Sequence, residues 1–392
     1  MLEIFSPISP ILALACLAVA LITAWVIGRF SGRPLEHARF QTIDGLRGYL
    51  AFFVFLHHAS IWFYYLRDGG WKVPPSNLYT HFGQSGVALF FMITAFLFVT
   101  KIIDSRGKGL DWSYLFISRF FRLGPLYLAA MVVLCLIVGG LSQWQLHEPA
   151  AQVIYEVFRW VMFTIGGGPN INGISETAIV MAGVTWSLPY EWLFYFSLPV
   201  IALLLGVVPP YVYLALGVLL SSLMVYNWHP DMAVIRCFWG GVIAAFFVRW
   251  SWLLRFAQSF WGSLAAAAAF LYSVISFDSV YVSKAQIVLS IAFILISSGS
   301  TLFGLLKLRV SKILGEMAYS IYLLHGILLF VLFHQVLGLE RAKTLEPESH
   351  WLLLMMVSAL LVVVSFITYS LIEKPCMNFA LRYRSSSRGR RL

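Results

Sequence analysis

The sequence predicts an all-α integral membrane protein of about eleven transmembrane helices, with its amino terminus outside and its carboxyl terminus in the cytoplasm. Three observations carry this expectation. The 392 residues are 60% hydrophobic and only 11% charged, with a mean hydropathy of +0.84, whereas soluble domains carry about 25% charge. Apolar runs long enough to span a bilayer, about 20 residues each, recur along the whole chain. The basic residues gather in every second connecting segment.

The spans are expected at 9–28, 46–66, 84–103, 123–142, 186–206, 209–226, 232–249, 253–276, 285–305, 314–336 and 350–372. The first has no basic segment before it, and Arg29 and Arg33 follow it. It therefore reads as a retained helix, residues 1–30, rather than a cleaved signal peptide. The segment 29–47 holds Arg29, Arg33, Arg39 and Arg47; the segment 101–122 holds Lys101, Arg106, Lys108, Arg119 and Arg122. Arg249 and Arg255 follow, then Lys307, Arg309 and Lys312, and a basic tail over 377–392 with Arg382, Arg384, Arg388, Arg390 and Arg391. Together with Lys374, these are 20 of the 27 lysines and arginines. Positive charge favours the cytoplasmic side, so the net charge of +10 is a topology signal, aided by anionic lipid at the tail. It gives no reason to invoke nucleic acid. Cys16, Cys135, Cys237 and Cys376 are isolated in or beside apolar runs and predict neither a disulfide framework nor a metal site.

Ionisable side chains at membrane depth are costly, so each is a candidate for function. In "IDGLRGYLAFFVFLHHAS" (43–60), Arg47 and His58 are eleven residues apart, about 20° from three whole helical turns and roughly 16 Å along the axis. Ala51 and Val54 lie between them on that face, which predicts a narrow groove. His57 points about 80° away. In "LGEMAYSIYLLHGILLF", Tyr322 and His325 share a face, and His325 is expected at a depth similar to His58. The pair lines a cavity or consists of two separate core histidines.

"TWSLPYEWLFYFSLP" puts Ser187, Glu191 and Tyr195 on one stripe. Glu191 can face an aqueous cavity, orienting a histidine or binding a sugar, or it can pair with Arg236. Arg119 and Arg122, at i, i+3 before the fourth span, suit phosphate or serve as interfacial anchors. "IGGGPN" (165–170) reads as a flexible outer turn. No zinc signature, P-loop or GxSxG is present.

These stretches, in this order, resemble the membrane acyltransferase-3 family. Arg47 and His58 look like its Arg-x10-His motif, and "SRFFRLGPLY" like its Arg-x-x-Arg-x-x-Pro pattern at Arg119, Arg122 and Pro125. "TWSLPYEWLFY" looks like its Trp-Ser-Leu-x-x-Glu-x-x-Phe-Tyr motif at Trp186, Ser187, Leu188, Glu191, Phe194 and Tyr195. "GVALFFMITAFLF", "LGEMAYSIYLLH" and "IEKP" complete the series, so the resemblance covers 43–376. The chain departs from the family at Thr94-Ala95, where Ser-Gly is usual, and at Ala88, where an acidic residue is common. No extracytoplasmic SGNH-type domain is expected after the last span.

The resemblance implies acyl transfer, commonly acetyl, from cytoplasmic acyl-CoA to a hydroxyl of an extracytoplasmic glycan or lipid-linked sugar, without a metal. It implies essential roles for Arg47 and His58. On this reading His58 is the general base, Glu191 orients an imidazole or the acceptor, and Arg47, Arg119 and Arg122 hold the CoA phosphates. Trp186, Ser187, Tyr195, Tyr322 and His325 contact substrate. The competing expectation is a transporter with His58, Glu191 and His325 as a proton relay.

Overall fold

The computed structural model describes residues 4–31 and 39–389; Arg33, Arg390 and Arg391 lie outside the described residues, as do the side chains of Arg384 and Arg388. The described chain is helical, with one isolated bridge between Ile171 and Ile174 and no strand among the described residues. In order the helices are α1 (Pro10–Phe30), α2 (Gln41–Asp68), α3 (Asn77–Asp104), α4 (Trp112–Leu141), α5 (Ala150–Val161), α6 (Thr177–Val180), α7 (Ser187–Leu204), α8 (Tyr211–Trp228) and α9 (Met232–Ile235). They continue as α10 (Cys237–Phe247), α11 (Ser251–Gln258), α12 (Phe260–Ser276), α13 (Ser283–Ser297), α14 (Arg309–Glu316), α15 (Ala318–Phe330), α16 (Leu339–Lys343), α17 (Pro347–Thr368) and α18 (Lys374–Gly389).

Among the described residues, eight helices are long and apolar enough to cross a bilayer, and a ninth span forms if the bent pair Met232–Phe247 and Ser251–Gln258 is one crossing. The pair turns by 108° at its break. The expected span 253–276 is therefore divided. Ser259 caps a new helix by accepting from the Gly262 amide at 3.2 Å. Helices α12 and α13 are apolar but only 17 and 15 residues long. Helix α4 starts eleven residues before its expected boundary, because Asp111 accepts from the Tyr114 amide at 2.9 Å and caps it there. Arg119 and Arg122 thus lie on the helix itself, with Pro125 inside it.

The chain forms two compact units, 1–97 with 232–365 and 98–231 with 366–392. The first is organised around α2, whose apolar window is 78% buried. Helix α2 meets α14 almost backbone to backbone. A Cβ on Gly45 would lie 2.0 Å from the Leu306 carbonyl, one on Gly48 2.8 Å from the Gly315 amide, and one on Gly315 1.8 Å from the Asp44 carbonyl. No side chain larger than hydrogen fits at these three positions. Tyr49 bonds to Ser311 at 2.7 Å beside them. Helix α3 approaches α2 in the same manner at Gly86, where a Cβ would meet Val54 at 2.9 Å. It meets α10 at Gly241, where a Cβ would lie 1.9 Å from the Met92 carbonyl. Of the departures from the family pattern, Ala88 and Ala95 are fully buried on α3 and Thr94 is half-buried there. Helix α1 buries the small-residue stripe Ala13, Cys16, Ala20, Ala24 and Gly28, and leaves Leu14 and Ile22 exposed as an apolar face suited to lipid.

In the second unit, α7 packs on α8, and α18 packs on α4. Leu128, Val132 and Leu136 form an exposed i, i+4 stripe on α4 that also suits lipid. The segment after α4 is held by two side chains. Asn172, in the left-handed region that Asn tolerates, accepts from the His147 amide at 2.8 Å and donates to the Gln145 carbonyl at 2.8 Å. Buried Glu156 accepts from the Asn172 amide at 3.0 Å and from Gln152 at 2.9 Å. "IGGGPN" is anchored rather than free: Trp160 donates to the Pro169 carbonyl at 2.7 Å, and Tyr127 donates to the Trp160 carbonyl at 2.6 Å.

Glu148 and Glu156 share a hydrogen bond that raises the Glu148 pKa, with burial and the Glu156 charge adding to it. Burial pushes Glu156 up, but bonds from Asn172, Gln152 and Glu148 outweigh it and hold Glu156 below the usual carboxylate range. A raised folded pKa contributes stability below the unfolded value and loses it as pH rises through the folded one; a lowered pKa does the reverse. The segment is therefore most stable between the lowered Glu156 value and the raised Glu148 value. Hydrogen-exchange protection at Asn172 should fall as pH rises through the Glu148 pKa, and Glu148→Gln should remove that fall. An unchanged pH dependence in the variant would contradict the shared-proton account.

The glycine contact has its own test. Gly315→Ala forces backbone apart and should cost about 1–3 kcal/mol, as overpacking does. Gly140, helical with nothing near its Cβ direction, should tolerate Ala with no loss. Thermal unfolding in detergent that shows equal melting for the two variants would refute the contact.

Candidate active site

The first unit brings two of the expected residues into direct contact. From the Gly48–Gly315 contact, α2 runs ten residues to His58, and the α14–α15 line runs ten residues to His325. Equal steps from one contact place the imidazoles side by side. His325 Nε2 lies 3.0 Å from His58 Nδ1, with ring centroids 5.0 Å apart. His325 is fully buried and His58 half-buried.

The protons in this pair follow from the backbone. His325 Nδ1 is 3.1 Å from the Ile321 carbonyl, and His58 Nδ1 is 3.0 Å from the Val54 carbonyl. A carbonyl only accepts, so each Nδ1 carries a proton. A neutral His325 then has a lone pair on Nε2, which shares the single His58 Nδ1–H with the Val54 carbonyl in a three-centre bond. A neutral His58 is left with its lone pair on Nε2. The arrangement thus presents one unprotonated imidazole nitrogen, oriented from behind by a second imidazole.

The surroundings are aromatic. Trp71 lies nearly parallel to His58, at 6.3 Å and 19°. Tyr322 is edge-on to His325 at 6.2 Å and meets Phe90 at 6.0 Å. Trp71 stands in the loop after α2, outside any periodic pattern, and only the aromatic character of "GGWK" marks it in the sequence.

Two expectations about α2 change. Ala51 and Val54 are 0% and 1% exposed, so the face between Arg47 and His58 is closed by packing, α3 covering Val54 at Gly86. Arg47, Phe53 and His58 keep partial exposure, and Phe53 stacks on Phe82 at 4.7 Å and 9°. His57 does point away from His325, but it is not idle. It is buried, its Nδ1 donates to the Tyr79 carbonyl at 2.7 Å, and its ring fills the space beside Gly83. Loss of His57 costs packing and a hydrogen bond, so comparison with His58 variants requires equal amounts of folded protein.

The second unit gathers another set. Tyr195 donates to Glu191 at 2.8 Å. Phe98 packs on Tyr195 at 5.3 Å, and the Arg119 guanidinium lies over Phe98 at 5.0 Å. Arg119 feels the charges of Arg122 and Glu191. Both arginines are half-buried. Among the described residues, neither makes a hydrogen bond or ion pair to protein, and Arg119 Nε is a buried donor without an acceptor. Ser187 donates to the Val184 carbonyl at 3.2 Å, which fixes the start of α7. Trp186 remains 39% exposed and packs edge-on against Tyr190. Arg236, the alternative partner for Glu191, donates instead to Gln286 at 3.3 Å.

Many apolar helices with ionisable groups held among them make this a multi-pass membrane protein. The chain belongs to the acyltransferase domain family (Acyl_transf_3), whose model it matches over residues 40–370. It is similar to nodulation protein 10 of Rhizobium leguminosarum bv. viciae, with 25% identity over 398 residues, covering 90% of this chain and 96% of that protein. No solved structure matches it.

Proposed function

We propose that this acyltransferase is a transmembrane O-acyltransferase with His58 as general base. It transfers an acyl group, acetyl foremost, from cytoplasmic acyl-CoA to a hydroxyl of an extracytoplasmic or lipid-linked glycan. The setting is a bacterial cytoplasmic membrane, with the basic segments inside and the amino terminus outside. The observation that carries the reading is the 3.0 Å bond between His58 and His325, with both Nδ1 positions tied to backbone carbonyls.

In the reaction, the lone pair on His58 Nε2 takes the acceptor hydroxyl proton as the oxygen attacks the thioester carbonyl. The new C–O ester bond forms, the C–S bond breaks, and the departing CoA sulfur takes the proton back from Nε2. Through both steps His325 Nε2 accepts from His58 Nδ1–H, which holds the ring and stabilises the transient imidazolium. Arg119 and Arg122 supply guanidinium donors not used among the described residues, a set suited to the donor's phosphates, and Arg47 adds charge at the amino-terminal end of α2. Glu191, held by Tyr195, and the exposed face of Trp186 suit a sugar: carboxylate and hydroxyl for its OH groups, indole for its apolar face. Tyr322 fixes the His325 ring, while Ser187 positions the start of α7.

His58→Ala should lower acyl transfer by about 10²–10⁴-fold, the usual contribution of a general base, measured with labelled acyl-CoA at equal folded protein. His325→Leu removes the acceptor behind His58 and should lower kcat with little change in KM, and His325→Gln should recover part of the loss. Retained transfer in His58→Ala would overturn the assignment.

A further inference from the structure

The first unit contains a cavity of about 370 Å³ that the acyl-transfer reading does not use. It lies at the amino-terminal end of α2, the corner after α10, and the turn that follows α13. Arg39, Arg249 and Lys307 line it, and no carboxylate does so among the described residues. The break that turns the bent helix pair by 108° forms one wall and places Arg249 there, where it also donates to the Ala245 carbonyl.

The polar groups of this wall are only partly used by the protein. Ser298 is 1% exposed and its hydroxyl has no hydrogen-bond partner among the described residues, yet it lines the cavity. A buried unmade hydroxyl bond costs about 1–3 kcal/mol, so its presence calls for an acceptor. Gln41 accepts from Lys312 at 2.9 Å on its side-chain oxygen, which leaves its NH₂ group to donate. The Lys307 ammonium makes no hydrogen bond or ion pair among the described residues, its backbone amide donating to the Gly304 carbonyl. Helix α2 begins at Gln41 with no side-chain cap, so the positive end of a 28-residue helix borders the cavity. Three cations, the Ser298 hydroxyl, the Gln41 amide and a helix amino terminus border one space, and no carboxylate lines it among the described residues, Asp44 standing in the first turn of α2 but outside the lining.

We infer that this cavity is a binding site for a phosphate-bearing group, separate from the Arg119–Arg122 pair. Phosphate accepts through several oxygens at once and suits mixed guanidinium, ammonium, amide and hydroxyl donors. Two sources share this chemistry: the nucleotide phosphates of CoA, which rest on the acyl-CoA reading above, and the headgroup of an anionic phospholipid, which does not.

Ser298→Ala and Lys307→Gln separate the outcomes. The first deletes a hydroxyl unused by the fold, so melting of the ligand-free protein should hold or rise. The full chain in phosphatidylcholine nanodiscs is titrated with CoA, and protein from phosphatidylglycerol nanodiscs is weighed by native mass spectrometry for retained lipid. CoA binding weakened roughly tenfold in both variants, the scale of a lost charge-assisted bond, supports the nucleotide as the source. Phosphatidylglycerol retained by the wild type and lost from both variants, with CoA affinity unchanged, supports the lipid. Variants that match the wild type in both measurements overturn the site. Absence of CoA binding to the wild type would instead count against the donor assignment, while the lipid measurement still decides the cavity.

Discussion

The contact of α2 with α14 is the constraint on which the first unit depends. Gly45, Gly48 and Gly315 bring two backbones closer than any side chain permits, and this fixes the axial register of α2 against the short α14 and the α15 that follows it. With the register set, side chains ten residues further along meet by geometry alone. A slip of one residue would rotate each histidine by about 100° and shift it about 1.5 Å along the axis, and the 3.0 Å bond would be lost. The glycines that flank Arg47 in "DGLRG" therefore determine what happens at His58, a distance of roughly 15 Å along the helix.

The electrostatic arrangement follows a matching logic in each unit. Buried polar groups are costly unless paired, and the chain meets that cost unevenly. His57, His58 and His325 have their Nδ1 atoms satisfied by carbonyls. Among the described residues, Arg119 and Arg122 do not have their donors satisfied. The satisfied histidines hold geometry; the unsatisfied arginines retain binding capacity for an anion. Glu191 is partly engaged, tied to Tyr195.

Much of this was legible in the sequence. Composition and apolar runs predict the helical membrane fold, and the similar depths of His58 and His325 foreshadow their contact. The spacing of Arg47 and His58 on one face does not predict an open groove, because a stripe of small residues serves equally as a surface for close helix packing. Here Gly86 of α3 uses it that way. The direction of His57 is readable, but its bond to Tyr79 depends on a neighbouring helix and is not. The early start of α4 was signalled by Asp111, a capping residue obscured by the aromatic and basic residues after it. The 108° corner after α10 has no local sequence marker beyond the polar and aromatic "VRWSW" run. Trp71, in a loop, has only the aromatic character of "GGWK".

The central claim is that His58 presents an unprotonated Nε2 because its Nδ1 proton is held by Val54 and His325. Nitrogen-15 NMR of histidine-labelled protein in lipid tests it directly, with His58→Ala and His325→Ala used to assign the resonances. At neutral pH, the account predicts a protonated Nδ1 and a bare Nε2 on His58, with coupling from the Nδ1 proton to His325 Nε2. A proton on His58 Nε2 with Nδ1 bare would contradict it.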